Sequence, residues 1–231
     1  MSALAFLTVV GRSRAPGART LPWFPMVGAT VGATMAMVHW GAHQVWTPLV
    51  AGALVVTADL ALTGALHLDG LADSADGLLP HMNRDRRLAV MAEPESGVFA
   101  VAVVVTILMI RWSLLADPAV EPLAFVAVWA ISRTAAAVVP SLVPYARPAG
   151  LVAPFLAGSH RLLGLWVIPA TATLVAIGGA IGAAAVVASM IAAGGVVALA
   201  LRRLGGFTGD ILGAVILVSE TMALLVLAVQ A

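Results

Sequence analysis

Residues Thr47–Gly77 read TPLVAGALVVTADLALTGALHLDGLADSADG, and both features that define the fold class lie within them. Up to Leu66 the stretch is apolar apart from Asp59, and a helix of about 20 such residues crosses a ~30 Å hydrocarbon core. From His67 onward it is polar and carries three carboxylates, those of Asp69, Asp73 and Asp76. We therefore interpret the stretch as a membrane span followed by an acidic helix at the membrane surface.

The three aspartates are spaced i, i+4, i+7, which places them on one face of a helix. Like charges stacked in this way repel one another, and the repulsion grows as water is excluded. A divalent cation would turn the repulsion into attraction, and oxygen ligands of this kind suit Mg²⁺ best, with Mn²⁺ or Ca²⁺ as less favoured alternatives. A solvated loop would also explain a charge run, but the whole chain has only 11 acidic residues. We favour a Mg²⁺ site.

The composition is that of an integral membrane protein. Hydrophobic residues make up 61% of the chain and charged residues only 10%, and the mean hydropathy is +1.05. A soluble domain is nearer half apolar and a quarter charged. The net charge of +1 and the lack of a concentrated basic face argue against a nucleic-acid partner. The chain has no cysteine, so no disulfide framework and no thiolate metal site is expected.

The sequence predicts an all-α, polytopic bundle of about seven spans, forming one domain over residues 1–231 with the bilayer as its surroundings. The run 162–201 is too long for one crossing and is expected to fold back near Gly178–Gly182. Polar connections are predicted at 67–97, 144–161 and 202–210. The first ten residues are expected to form an interfacial or re-entrant segment rather than a cleaved signal. The predicted spans are 23–45, 47–66, 98–115, 123–143, two within 162–201, and 211–229.

The placement of the arginines predicts the orientation. With seven spans, the connections before the first span and after the second, fourth and sixth share one face, and these connections hold most of the arginines. Basic residues mark the cytoplasmic face, so we expect a plasma-membrane protein whose motif-bearing loops are all cytoplasmic. Arg111, near the far end of the third span, is the one discordant charge. The arginines on the predicted cytoplasmic face are Arg12, Arg14, Arg19, Arg84, Arg86, Arg87, Arg147, Arg161, Arg202 and Arg203.

Candidate site residues outside the aspartates are basic, glycine-rich or buried. Arg84, Arg86 and Arg87 form a cluster suited to phosphate oxygens. The segment Gly205–Asp210, GGFTGD, allows close backbone approach to a phosphate, and Asp210 could complete a cation site or cap the last helix. His67, at the start of the acidic helix, is a candidate base or substrate contact. Three ionisable residues lie inside spans and suggest either function or a buried ion pair: Asp59, Arg133 and Glu220.

Several blocks, in order along the chain, resemble the cobalamin synthase family, the adenosylcobinamide-GDP ribazoletransferases. They cover nearly the full length and are highly specific in combination. The blocks are FPMVG from Phe24, HLDGLADSADG from His67, the arginine-rich stretch with Met91 and Glu93, SRTAA from Ser132, YARPAGL from Tyr145 and GGFTGDILGA from Gly205.

The resemblance implies a membrane enzyme of the last stage of vitamin B12 assembly. In such an enzyme α-ribazole, or its 5′-phosphate, displaces GMP from adenosylcobinamide-GDP with Mg²⁺ present. Carried over by position, Asp69, Asp73 and Asp76 would be the acidic motif and Asp210 the acid of the TGD block. We expect these four to hold the metal and serve catalysis, with His67 as a further catalytic candidate. Substrate contacts are expected from the residues of the arginine cluster and the two later loops, namely Arg84, Arg86, Arg87, Arg147, Gly206, Thr208 and Gly209.

Two other classes remain as alternatives. CDP-alcohol phosphotransferases also use an acidic helix with a DG pair at the membrane surface, but here no AR pair follows at their spacing. A cation or small-solute transporter would use Asp59, Arg133 and Glu220 as its pathway, although no inverted repeat is evident. The sequence leaves open whether the chain forms a homo-oligomer.

Overall fold

The computed structural model describes residues 2–11, 17, 20–147, 150 and 163–229. Within them the protein is helical, and the described residues hold no strand beyond a single parallel bridge between Tyr145 and Phe207. This confirms the predicted all-α class. The helices are α1 Ser2–Leu7, α2 Phe24–Val45, α3 Pro48–Thr63, α4 Leu66–Leu78, α5 Arg84–Val90, α6 Val98–Leu115, α7 Pro122–Leu142, α8 Val167–Leu204 and α9 Gly209–Leu227.

Helix α7 forms the centre of the bundle and packs against α2, α8 and α9. It is the most buried of the long helices, and Phe125 and Trp129 on it are fully enclosed. Gly28 and Gly32 of α2 face the backbone at these two residues, where a Cβ atom on either glycine would collide with a carbonyl oxygen. Small residues at such crossings let two membrane helices approach closely. The FPMVG block therefore contributes to helix packing.

The second predicted span is shorter than expected. Helix α3 has 16 residues and ends at Thr63, because Gly64 and Ala65 adopt positive φ angles of 61° and 55°. The following helix α4 is bent by 90° from α3. If α3 runs along the membrane normal, α4 therefore lies in the membrane plane. The acidic helix begins at Leu66, where the predicted span was to end.

The long apolar run near the C-terminus folds back as predicted. Helix α8 covers 38 residues, but Gly179 inside it has φ 54° and ψ −126°, values that no helical residue adopts. Past this break, Gly182 packs onto the backbone of Leu174. Residues eight positions apart stand about 12 Å apart along a straight helix, so this contact requires the chain to reverse near Gly179.

The number of spans stays a prediction. Among the described residues, five helices are long and apolar enough to cross a bilayer, or six if α3 and α4 count together as one bent span. We predicted about seven because α3 and both arms of α8 were each counted as a crossing. The arm of α8 before the break, residues 167–178, is only about 18 Å long, shorter than the hydrocarbon core.

The polar connections meet at one end of the bundle. Arg84 at the start of α5 contacts carbonyl oxygens of Ala146 and Leu204, which belong to the other two predicted polar connections. The turn 116–122 lies elsewhere, because Asp117 lines a cavity together with Gly178 and the C-terminal end of α9. Four of the arginines used to predict the orientation lie outside the described residues, namely Arg12, Arg14, Arg19 and Arg161.

Candidate active site

The site is formed where the acidic helix α4 crosses the start of α9. Gly70 lies against the backbone of Asp210, and Gly213 lies against the backbone of His67 and Gly70. A glycine on each helix removes the side chains that would hold the two backbones apart. The DG pair of the acidic stretch and the TGD block are thereby brought together, as the prediction for Asp210 required.

Two loops pair through their backbones and bring Arg147 to the same place. The amide of Ala146 donates to the carbonyl oxygen of Phe207 at 2.8 Å, and the amide of Phe207 donates to that of Pro144 at 2.9 Å. Gly206 is required here, because a Cβ atom would stand 2.2 Å from the Pro144 carbonyl oxygen. Gly206 therefore serves this loop pairing, and the role predicted for it in phosphate contact stays a prediction.

Arg147 and Thr208 both contact Asp210. The Arg147 guanidinium donates from Nη2 to Oδ2 of Asp210 at 3.2 Å and to the carbonyl oxygen of Met91 at 3.1 Å. The Thr208 hydroxyl donates to the same carboxylate oxygen at 3.0 Å and accepts from the amide of Ile211, which caps α9. Gly209 is the first residue of α9. The arginine is only about a quarter exposed, so its charge is weakly screened.

Three of the predicted carboxylates share this region, namely those of Asp69, Asp73 and Asp210. Burial, together with the charges of Asp210 and Asp69, raises the pKa of Asp73 to about 7, although the charge of Arg147 acts in the opposite direction. Asp69 and Asp210 also line one cavity. Partly buried carboxylates that repel one another in this way are a favourable place for a cation.

The donor set fits Mg²⁺ only if other ligands join it. Within the described part of the chain, no three Asp, Glu or His side chains are arranged to enclose a metal ion by themselves. Mg²⁺ is commonly held by one or two carboxylates, with waters and substrate phosphates completing its octahedron. Asp69, Asp73 and Asp210 provide oxygen ligands of this kind, so we propose that any Mg²⁺ binds together with a phosphate-bearing substrate.

Asp76 has different partners from the other two aspartates of α4. Its carboxylate accepts from the amide of Gly97 at 2.5 Å and from the amide of Ala100 at 2.9 Å. These amides begin α6, where the helix dipole favours a negative charge. The same-face spacing was predicted correctly, but Asp76 lies about two turns beyond Asp69 and less than one turn beyond Asp73, where α6 begins. Its geometry supports a helix cap and does not support the metal-binding role we predicted.

Of the three neighbouring arginines, Arg84 and Arg87 donate to backbone carbonyl oxygens, whereas Arg86 pairs with a side chain. Arg84 donates to the carbonyl oxygens of Leu204 and Ala146, each at 2.8 Å, and so ties together the two loops that carry Asp210 and Arg147. Arg86 is exposed and pairs with Glu93. Arg87 is buried and donates to two carbonyl oxygens at the end of α4. The phosphate contacts predicted for the three arginines stay predictions.

His67 is buried with only 4% of its surface exposed, and its Nε2 atom has no hydrogen-bond partner. It lines the cavity that Asp69 and Asp210 also line. The sequence suggested a base or a substrate contact for this residue. The structure places it beside the acidic site and leaves one nitrogen available, so the role stays a prediction.

The ionisable residues inside the spans form one buried cluster beneath the site. Arg111 of α6 donates to Asp59 at 2.9 Å and to Glu220 at 3.0 Å, and Arg133 of α7 pairs with the other oxygen of Glu220. Ser132 and Trp129 also donate to these carboxylates. Two arginines thus balance two acids.

The pairing of Arg133 with Glu220 was anticipated, whereas Arg111 was wrongly treated as a discordant topology charge. The residues next to Arg111 in the sequence are apolar, and this was the signal from which its burial could have been predicted.

The fold and the site together define a class, the helical membrane proteins whose polar groups meet at one end of the bundle. The chain belongs to the cobalamin-5-phosphate synthase family, whose family model matches residues 1–228. This confirms the resemblance read from the sequence.

Several curated relatives are named adenosylcobinamide-GDP ribazoletransferase. One, from Stutzerimonas stutzeri, is 38% identical over 92% of this chain and 87% of its own length. Another, from Alkalilimnicola ehrlichii, is 40% identical over 96% of this chain and 92% of its own length. A third, from Geobacillus kaustophilus, is 31% identical over 94% and 89%. No solved structure matches the chain significantly.

Proposed function

We propose that the protein is an adenosylcobinamide-GDP ribazoletransferase of the last stage of cobalamin biosynthesis. The observation that carries the proposal is the meeting of Asp69, Asp73 and Asp210 with Arg147 at the crossing of α4 and α9. Phosphoryl transfer needs groups that hold a diphosphate and neutralise the charge on the leaving phosphate. The names of the curated relatives support the particular substrates.

In this reaction a ribose hydroxyl of α-ribazole, or of its 5′-phosphate, attacks the phosphorus that carries the cobinamide. The bond from that phosphorus to the bridging oxygen breaks, GMP leaves, and the hydroxyl proton passes to a site carboxylate. Arg147 stands beside Asp210 and can exchange that contact for an oxygen of the departing phosphate, for which its planar fork is suited. Mg²⁺, when bound by Asp69, Asp73 and Asp210, supplies charge neutralisation on the diphosphate.

The placement of the site supports a cytoplasmic active face in the plasma membrane. The arginine-bearing connections meet at the end where the carboxylates lie, and nucleotide-bearing substrates are cytoplasmic. A large, partly apolar corrinoid can rest at the bilayer surface beside α4. The transporter alternative finds less support, because Asp59, Arg133 and Glu220 are paired with one another and with Arg111.

The test is release of GMP by the purified protein in lipid vesicles. We expect GMP only when adenosylcobinamide-GDP, α-ribazole and Mg²⁺ are all present, with the cobamide formed in equal amount. GMP formed without α-ribazole would indicate a hydrolase. Formation of no GMP with any of these combinations, from protein shown to be folded, would overturn the proposal.

A further inference from the structure

The N-terminal segment, which was predicted to be interfacial, packs across the bend between α3 and α4. Leu7 of α1 is buried with only 2% of its surface exposed, and the ring of Phe6 beside it stacks on that of Phe24 with the centroids 5.9 Å apart. Two residues after α1, Val9 lies against Gly64 at the bend, where a Cβ atom on the glycine would stand 2.8 Å from a methyl carbon of Val9. The segment therefore contacts both α2 and the bend.

A hydrogen bond from this segment replaces one that the bend removes. In a continuing helix the carbonyl oxygen of Leu62 would accept from the amide of Leu66, four residues later. Helix α4 begins at Leu66 and is bent by 90° from α3, and the carbonyl oxygen of Leu62 accepts instead from the amide of Val9 at 2.9 Å. A backbone carbonyl left without a donor is costly where water is excluded. Val9 therefore satisfies the end of α3.

The bend contains a residue in a disfavoured conformation. Ala65 has a φ of 55° and is the one non-glycine residue with positive φ in the part of the chain that the structure describes. Such a conformation persists only where the surrounding structure fixes it. The carbonyl oxygen of Ala65 accepts from the amide of Asp69 at 2.9 Å. The conformation at Ala65 therefore sets where the first turn of α4, which carries Asp69, is placed.

We propose that the backbone amide of Val9 is a positioning group for Asp69, because it fixes the bend that directs the first turn of α4 towards Asp210. Asp69 and Asp210 line one cavity, and Phe6 and Leu7 of the N-terminal segment form part of the wall of that cavity. The segment thus lies where the two carboxylates meet. The part of the proposal that concerns Mg²⁺ rests on the proposed function, whereas the support of the bend by Val9 does not.

The bend can be measured with spin labels on cysteines at Thr57 and Leu79, both of which are exposed. From the helical rise, the backbones at these positions stand about 24 Å apart across a 90° bend and about 33 Å apart in a straight helix. Val9→Pro removes the amide donor, so a narrow wild-type distance near the lower value should become a broad distribution that extends towards the higher one. Val10→Pro is the matched control and should keep the narrow distance, because the Val10 amide donates to the hydroxyl of Thr8 within the same segment.

The effect on the site is measured with the same variants without labels. Val9→Pro should raise the Mg²⁺ concentration for half-maximal GMP release about tenfold, as the loss of groups that orient a metal ligand does. Val9→Ala keeps the amide and should leave this concentration unchanged. A purely structural role of the segment would lower the yield of folded protein and would not change the Mg²⁺ concentration required by the protein that folds.

A second variant keeps the test decisive if Val9→Pro does not insert in the membrane. Leu7→Ala removes a buried anchor of the segment without altering its backbone and should broaden the distance in the same direction. An unchanged distance or an unchanged Mg²⁺ requirement in the folded variants would overturn the positioning role of Val9. Failure of the proposed function would look different, because wild type itself would then release no GMP while the distances would still separate Val9→Pro from wild type.

Discussion

Gly70 lies directly against the backbone of Asp210, so that a Cβ atom at Gly70 would stand 2.7 Å from the Asp210 carbonyl oxygen. The two residues are 140 positions apart in the chain, and their contact brings the acidic stretch to the TGD block. Everything proposed for the site depends on this crossing.

Enlarging this glycine should therefore disable the site. Gly70→Ala pushes α4 away from α9, and a shift of about 1 Å in a catalytic group can cost roughly 100-fold in rate. We expect a loss of that order in kcat/KM for GMP release, with the protein still inserted in the membrane. Gly195→Ala is the matched control, because a Cβ there meets nothing within 4 Å. Equal activity of the two variants would contradict the close crossing.

The two kinds of aspartate on α4 should respond differently to amide substitution. Asp76→Asn leaves one of the amides of Gly97 and Ala100 without its acceptor, at a cost of about 1–3 kcal/mol in stability. We expect a lower melting temperature, while the Mg²⁺ concentration for half-maximal activity stays the same. Asp73→Asn should instead abolish activity with little change in melting. If Asp76→Asn changed the Mg²⁺ concentration for half-maximal activity, Asp76 would be a metal ligand after all.

The buried charge cluster should contribute to stability rather than to substrate binding. Arg111→Met leaves Asp59 and Glu220 with one cation between them, and breaking such a buried pair costs about 3–5 kcal/mol. Adding Asp59→Asn rebalances the charge and should recover part of the melting temperature in detergent. Arg86→Met, at an exposed pair, should change melting little. An Arg111→Met protein as stable as wild type would contradict the cluster.

The orientation can be tested with single cysteines, because the chain has none of its own. An impermeant thiol reagent added to intact cells should label a cysteine at Ala119 and spare one at Ser96, since both positions are exposed but lie in connections predicted on opposite faces. Ser96 is chosen over Ser74, which is 3% exposed and would resist labelling on either face. Labelling at Ser96 from outside would reverse the orientation.

The predictions from sequence succeeded where a signal is local or shared by a family. Apolar run length predicted the helices, the glycines near Gly179 predicted the reversal of α8, and the ordered motif blocks predicted the family. The i, i+4, i+7 spacing also located the acidic helix correctly. Each of these signals is contained within one segment of the chain.

The contacts that depend on a distant partner could not be predicted from the sequence. Asp76 and Asp73 look alike in sequence, but only Asp76 meets the first amides of α6. Arg87 belongs to an arginine cluster of the kind that binds phosphate, but in the fold its guanidinium donates to two carbonyl oxygens at the end of α4. Arg111 appeared discordant because its two partners come from helices 52 and 109 positions away. The spacing of residues within one segment does not indicate contacts with a distant segment of the chain.

The most direct test of the central claim is a single-turnover reaction in lipid vesicles, with adenosylcobinamide-GDP bound and α-ribazole and Mg²⁺ then added. Wild type should form GMP and cobamide in equal amounts, and Arg147→Ala should slow both about 100-fold, as the loss of one charge-stabilising donor does. Asp73→Asn should form neither product. Wild-type rates from Asp73→Asn and Arg147→Ala would contradict the assignment of the reaction to the crossing of α4 and α9.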